Sequence, residues 1–214
     1  PIEQNGLSGT YARNVVRTRP ETSAVDGSTR PGGARERILD AAGRLFYEHG
    51  FAAVGIDRII AEAGVAKASL YAHFASKDDL VVAYLRQSDD AFWSWIDGAV
   101  PADAEPAEAL VAIFELVEQQ ATAPGCFGCT FQVTAAEFPD RDHPAHVVAA
   151  EHKRVALERF EALASEAGLR DPATLAAHLL VMMDGAWAAA RMFGADSHLT
   201  GLGDLTRTLV DAHR

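Results

Sequence analysis

RERILDAAGRLFYEHGFAAVGIDRIIAEAGVAKASLYAHFASKDDLVVAYL, residues 35–85, decides the fold. Ile38, Leu39, Ala42, Leu45 and Phe46 recur at helical spacing, which predicts a first helix over Ala34–His49. Gly50 is expected to end it as a left-handed cap. A short second helix, Ile56–Ala63, buries Ile56, Ile59 and Ile60, and Gly64 makes a tight turn where a side chain would clash. Val65 plugs the angle before a third helix, Lys67–His73, whose Leu70 and Phe74 face inward at i, i+4. Ser76 caps a fourth helix reaching Gly98, with Asp79 as a short capping-box partner. This order of helix, glycine turn and short helix is the layout of a helix-turn-helix reader of the DNA major groove.

Working outward, the rest of the chain reads as helix too. Alanine and leucine dominate, and β-branched runs with period-two alternation are missing, which predicts an all-α fold. Further helices are expected over residues 106–121, 129–138, 144–167, 172–193 and 204–213. Pro106, Pro144 and Pro172 stand in first turns, while Gly98, Gly125, Gly168 and Gly194 act as stops. Three parts are expected: an arm without periodicity over 1–33, a helix-turn-helix domain over 34–80, and a helical ligand-binding and dimerisation domain over 81–214. The first residue is Pro1, so the natural start is left open. The arm carries arginines that could touch a DNA groove, against the plainer reading of a passive tail.

Charge is distributed unevenly. Residues 1–33 hold four Arg against three acids, residues 34–80 six Lys or Arg against seven acids, and residues 81–214 nine against twenty. The C-terminal acid excess would repel phosphate, which excludes a histone-like wrapper but not a site-specific reader that presents one face. No apolar run is expected to reach the roughly 18 residues of a membrane span. The opening PIEQNGLSG shows no export signal, and two cysteines make no disulfide framework. A cytoplasmic protein is the expectation.

Specific runs carry a resemblance. Phe51 with Ile56, then IIAEAGV (59–65), K-x-S-L-Y-x-H-F (67–74) and S-K-D-D-L (76–80) resemble the DNA-binding domain of the TetR family of bacterial regulators. The downstream run GC…AAEFPDRDHPA…EHKR, then DGA, is similar to one branch of that family's sensor domain. The resemblance implies an all-helical homodimer that represses transcription from a double-stranded DNA operator until a small-molecule effector binds the C-terminal domain. It makes Lys67, Ala68 and Ala72 candidates for base edges, and Ser69, Tyr71, His73 and Lys77 candidates for phosphate. Their chemistry agrees: hydroxyls donate to phosphate, and Lys77 adds charge at a helix N-terminus. Tyr71 and His73 also admit a packing role. The effector pocket is implied between the middle helices, where Phe92, Trp95, Phe114, Cys126, Phe131, Phe138, His178, Met182, Met183 and Trp187 offer aromatic or soft side chains. Core packing is the plainer reading for each, and for His178 either core or interface. The last two long helices, rich in small residues such as Gly185 and Ala188, are the expected dimer surface. They would set two recognition helices about 34–36 Å apart on a pseudo-palindrome.

Other chemistry weighs less. Cys126-Phe-Gly-Cys129 with His143-Pro-Ala-His146 lies close to a zinc-finger spacing, but a finger needs a ββα unit and Pro144 separates the histidines. A metal is not expected, although a thiol-redox or metal-responsive regulator working through the two cysteines stays open as an alternative. Without G-x-S-x-G, P-loop, G-x-G-x-x-G or H-E-x-x-H, nothing marks an enzyme, and no cofactor is implied. A helical enzyme using the C-terminal pocket is the remaining rival. Adjacent acids such as Asp89-Asp90 and Asp78-Asp79 diverge on a helix and are expected to be solvated or capping.

The third helix departs from the resemblance at Ala66, which cannot cap with a side-chain oxygen, and Ala68 and Ala72 offer only methyl contact. Selection from randomised DNA should therefore return a motif weakly constrained under the third helix, with spacing and DNA shape carrying much of the specificity. A long, strongly constrained motif there would overturn this expectation.

Overall fold

The structure is a computed structural model, which describes residues 33–214; the arm expected over 1–33 lies, apart from Gly33, outside the described residues. The described residues form nine α-helices and no strand, the all-α class expected. In chain order these are α1 (Ala34–His49), α2 (Ile56–Ala63), α3 (Lys67–His73), α4 (Lys77–Ala99), α5 (Pro106–Ala121), α6 (Thr130–Glu137), α7 (Pro144–Glu166), α8 (Pro172–Phe193) and α9 (Leu202–Ala212), with one 3-10 turn after α8.

The helix ends show what the local sequence controls. Gly64 closes α2 in the left-handed region, at φ 62 and ψ 45. Gly50 has the positive φ expected, 80, but its ψ of 173 lies outside the left-handed helical region. Ser76 caps α4 by accepting from the Asp79 N–H at 3.0 Å. The Asp79 carboxylate instead takes the Ser76 hydroxyl at 2.8 Å. Gly98 does not stop α4, which runs one residue further before the Val100 N–H closes onto the Ile96 carbonyl. Prolines open α5, α7 and α8. α9 starts at Leu202, two residues before the expected 204, because Glu118 of α5 accepts from the Gly201 and Leu202 N–H groups at 3.0 and 2.6 Å. A carboxylate from a distant helix thus satisfies orphan donors.

Ile38, Phe46, Phe51, Val54, Ile59, Leu70 and Leu80 are buried where α1–α3 pack onto the start of α4. The remaining helices form a bundle in which α7 packs along α4, α6 and α8, and α5 along α9. One apolar core runs through both groups. The division placed at residues 80 and 81 falls inside the continuous α4, so the two groups share a helix.

α8 corrects the expectation that no apolar run is long. By length and composition, Pro172–Asp196 is long and apolar enough to cross a membrane. His178, Asp184 and Arg191 interrupt the run in the sequence. Its stripe of Leu175, Leu179, Met183, Ala186 and Trp187 is buried in the bundle.

Before α6 the chain turns at Gly128, which has φ +80. A Cβ there would lie 2.6 Å from the Trp187 carbonyl oxygen and 2.9 Å from the Arg191 Cβ. Gly128→Ala combines positive-φ strain with a backbone clash, and should cost about 2 kcal/mol or more in urea unfolding. An unchanged midpoint would show that the loop is not seated on α8.

Candidate nucleic-acid interface

α3 is amphipathic over seven residues. Leu70 is fully buried and Phe74 nearly so, which fixes the opposite face outward. Lys67, Ala68, Tyr71, Ala72 and His73 are exposed there, and Ser69 is half-buried beside them. Tyr71 is 46 % exposed, so its ring is not a core ring. Ala66 provides no side-chain cap. Lys67 Nζ stands 3.2 Å from the Asp57 carboxylate. Behind the helix, Arg44 pairs with Glu62 at 2.8 Å and Arg58 with His49 at 2.7 Å. Lys77 is more committed than its sequence position implied: its ammonium donates to the Phe51 carbonyl at 2.6 Å. Its ammonium retains further N–H donors.

The unit is tied to the bundle by contacts that sequence reading missed. Glu137, at the end of α6, accepts from the Ala52 N–H at 2.6 Å and lies against Gly50. The Tyr47 hydroxyl of α1 donates to Cys126 Sγ at 3.8 Å and accepts from the Phe127 N–H at 3.1 Å. Burial raises the Tyr47 pKa. His143 faces Asp78 at 3.4 Å, and Tyr84 donates to Thr130 Oγ1 at 3.1 Å.

The candidate pocket residues separate into groups. Phe92 and Trp95 are buried on α4 with ring centroids 5.8 Å apart. Phe131 stacks 3.7 Å over the His152 ring, which Phe92 meets edge-on at 5.1 Å. Phe114 packs on Phe160, and Met183 and Trp187 are buried on α8 with Met182 half-buried. Phe138 lies apart, against Phe51 and stacked on His143. Cys126 is buried under Tyr47. His178 is exposed on α8, its ring edge-on to His213, because Leu175 and Leu179 take the buried stripe.

His152 and Asp89 carry the buried polar contact of this core. His152 is 3 % exposed, and its Nδ1–H donates to Asp89 at 2.6 Å. The Trp93 indole donates to the same carboxylate oxygen at 2.9 Å. Asp89 is therefore not the solvated acid expected; the i, i+4 pairing of Asp89 with Trp93 was the available signal. Burial holds the His152 imidazole below its ordinary pKa range, outweighing Asp89, which pulls it upward. His143 and His146 are engaged elsewhere: His143 Nδ1 caps Ala145 and His146 Nδ1 donates to the Phe138 carbonyl. Among the described residues, no three His, Cys, Asp or Glu side chains converge as metal ligands.

The family model for bacterial regulatory proteins of the tetR family matches residues 38–84. A candidate TetR transcriptional regulator from Streptomyces avermitilis is 37 % identical with a TM-score of 0.76, covering 85 % of this chain and 98 % of that one. A TetR-family transcriptional regulator from Streptomyces coelicolor is 34 % identical with a TM-score of 0.75, covering 84 % and 93 %. The HTH-type transcriptional regulator LmrA of Bacillus subtilis is 34 % identical over 100 residues, 46 % of this chain and 50 % of that protein. Relatives matched over similar stretches include the activator FasR and the repressor KstR2, both of Mycolicibacterium smegmatis. The chain spans half or less of the length of these curated relatives.

The buried imidazole sets a pH dependence. Its native pKa is depressed, so its contribution to stability is present above the unfolded value of about 6.5 and is lost as pH falls below that toward the native value. His152→Gln should flatten the decline of urea-unfolding free energy between roughly pH 7 and 5. A slope equal to the parent's would assign the decline to other groups.

Proposed function

The chain belongs to the TetR family of bacterial regulatory proteins, and we propose that it is a homodimeric transcriptional repressor whose paired α3 helices read a pseudo-palindromic operator. The observation that carries this is the outward face of α3, with Lys67, Ala68, Tyr71, Ala72 and His73 exposed over buried Leu70. A seven-residue helix held from behind in this way fits the roughly 12 Å major groove. Lys67, Ala68 and Ala72 are assigned to base edges, and Ser69, Tyr71, His73 and Lys77 to phosphates. Residues 34–80 act as the reader and 81–214 as the sensor and dimer domain. With DNA as partner, the cytoplasm is the place of work.

Dimerisation is assigned to α8 and α9. Val181 and Met192 are 72 % and 73 % exposed, and Phe193 and Leu205 are also uncovered, beside the small Ala177, Gly185 and Ala188. Burying such a stripe against its two-fold copy removes apolar area from water and allows close helix approach. A small apolar or aromatic effector is assigned to the core around Phe92, Trp95, Phe114, Phe131 and Trp187. It releases DNA by favouring a state whose α3 helices no longer match successive grooves. A coupling of about 1–3 kcal/mol would change operator affinity some 5- to 150-fold.

The test is an electrophoretic shift on DNA from beside the chain's own gene, at near-physiological salt with competitor DNA. A competitor-resistant shift is expected, with Lys77→Ala weakening it on any sequence and flattening the salt dependence by about one unit. No shift at any salt would count against the reading, and an unchanged slope would remove Lys77 from the phosphate contacts.

A further inference from the structure

The loop before α6 carries both cysteines of the chain, and its surroundings are not those of inert packing. Cys126 and Cys129 are 5 % and 9 % exposed, and both are reduced. Between them Phe127 is 38 % exposed, so the loop reaches the surface at its middle. The loop is clamped on two sides. Tyr47 of α1 holds the Cys126 sulfur and the Phe127 N–H, while Arg191 of α8 donates to the Phe127 carbonyl at 2.9 Å. Cys129 lies beside a cation, the Lys153 ammonium, which is hydrogen-bonded to Asp184. Lys153 keeps its proton, because Cys129 and Asp184 outweigh the burial that would remove it. Burial pushes the Cys126 thiol pKa up, so that sulfur waits protonated.

We propose that Cys126 and Cys129 form a redox pair that a small hydroperoxide converts to an intraloop disulfide, withdrawing Cys126 from Tyr47. The ammonium beside Cys129 can hand a proton to the oxygen that leaves when this sulfur attacks. The Cys129 thiolate attacks one peroxide oxygen, the O–O bond breaks, and a sulfenic acid forms at Cys129. The departing alkoxide or hydroxide takes a proton from Lys153, which solvent replaces. The Cys126 thiol then attacks the sulfenyl sulfur, the S–S bond forms, the S–O bond breaks, and water leaves with the thiol proton. Two electrons pass from the two thiols to one peroxide, which ends as an alcohol (or water) and one further water. The consequence is mechanical: Tyr47 loses its sulfur partner, and with it one of the contacts between α1 and the bundle.

The test needs no operator, so its failure leaves the DNA-binding reading untouched. The reduced chain is treated with hydrogen peroxide, quenched in denaturant, alkylated and weighed intact. The expected product has lost both thiols together, is lighter by two hydrogens and stays a single chain on a non-reducing gel. Cys126→Ser should accumulate a dimedone-trappable sulfenic acid at Cys129, whereas Cys129→Ser should leave Cys126 open to alkylation. Lys153→Gln should slow sulfenate formation roughly tenfold without changing the native alkylation rate of Cys126. Two alkylatable thiols after excess peroxide, or oxidation only between chains, would overturn the proposal.

Discussion

Phe51 stands where the two groups of helices meet, and the placing of α3 depends on it. Its ring lies 5.1 Å from Phe46 of α1, 6.1 Å from Tyr84 of α4 and 5.6 Å from Phe138 just past α6. Ring pairs of this kind contribute about 0.5–1.5 kcal/mol each beyond their buried area, and here three are cast on one side chain. The backbone beside it is held too, by Lys77 at the Phe51 carbonyl and Glu137 at the Ala52 N–H. α2 and α3 follow directly from this turn. Their orientation on the bundle therefore depends on this turn as well as on the α1 face against which Ile59 and Leu70 are buried.

The local part of this arrangement was legible in the residue order. α1, α2, α3, α5 and α8 have the bounds that apolar periodicity, glycine and proline imply. The outward face of α3 followed from Leu70 and Phe74 alone. What escaped reading was long-range. Glu137 and Ala52 are 85 residues apart, and His152 and Asp89 are 63 apart. No spacing rule connects such pairs. His178 shows the converse: its neighbours are apolar, yet it falls off the stripe of Leu175, Leu179 and Met183 that turns inward. Periodicity locates a face, but it does not say what the face meets.

The acid excess of residues 81–214 also has an internal use that a charge count conceals. Glu118 starts α9, Asp89 gathers His152 and Trp93, Asp184 holds Lys153, and Asp97 holds Arg159 at 2.7 Å while that guanidinium lies over the Trp93 ring. Carboxylates are acceptors with two oxygens, so each can satisfy two donors from different elements. In a bundle of apolar stripes such acceptors fix register, because a shifted helix would leave a part-buried donor or charge without its partner.

α4 is one uninterrupted helix of 23 residues whose first turn packs in the reading unit and whose last turns pack in the bundle. A rod of that length spans about 35 Å. By that rise, a tilt of roughly 5° about its midpoint carries each end about 1.5 Å, in opposite directions. In the proposed two-fold pair the displacements of the reading ends add to about 3 Å, close to the rise of one base pair. Under that proposal, small rotations within the bundle would be geared into whole steps along a duplex, and the spacing of the half-sites would act as a ruler for the state of the core.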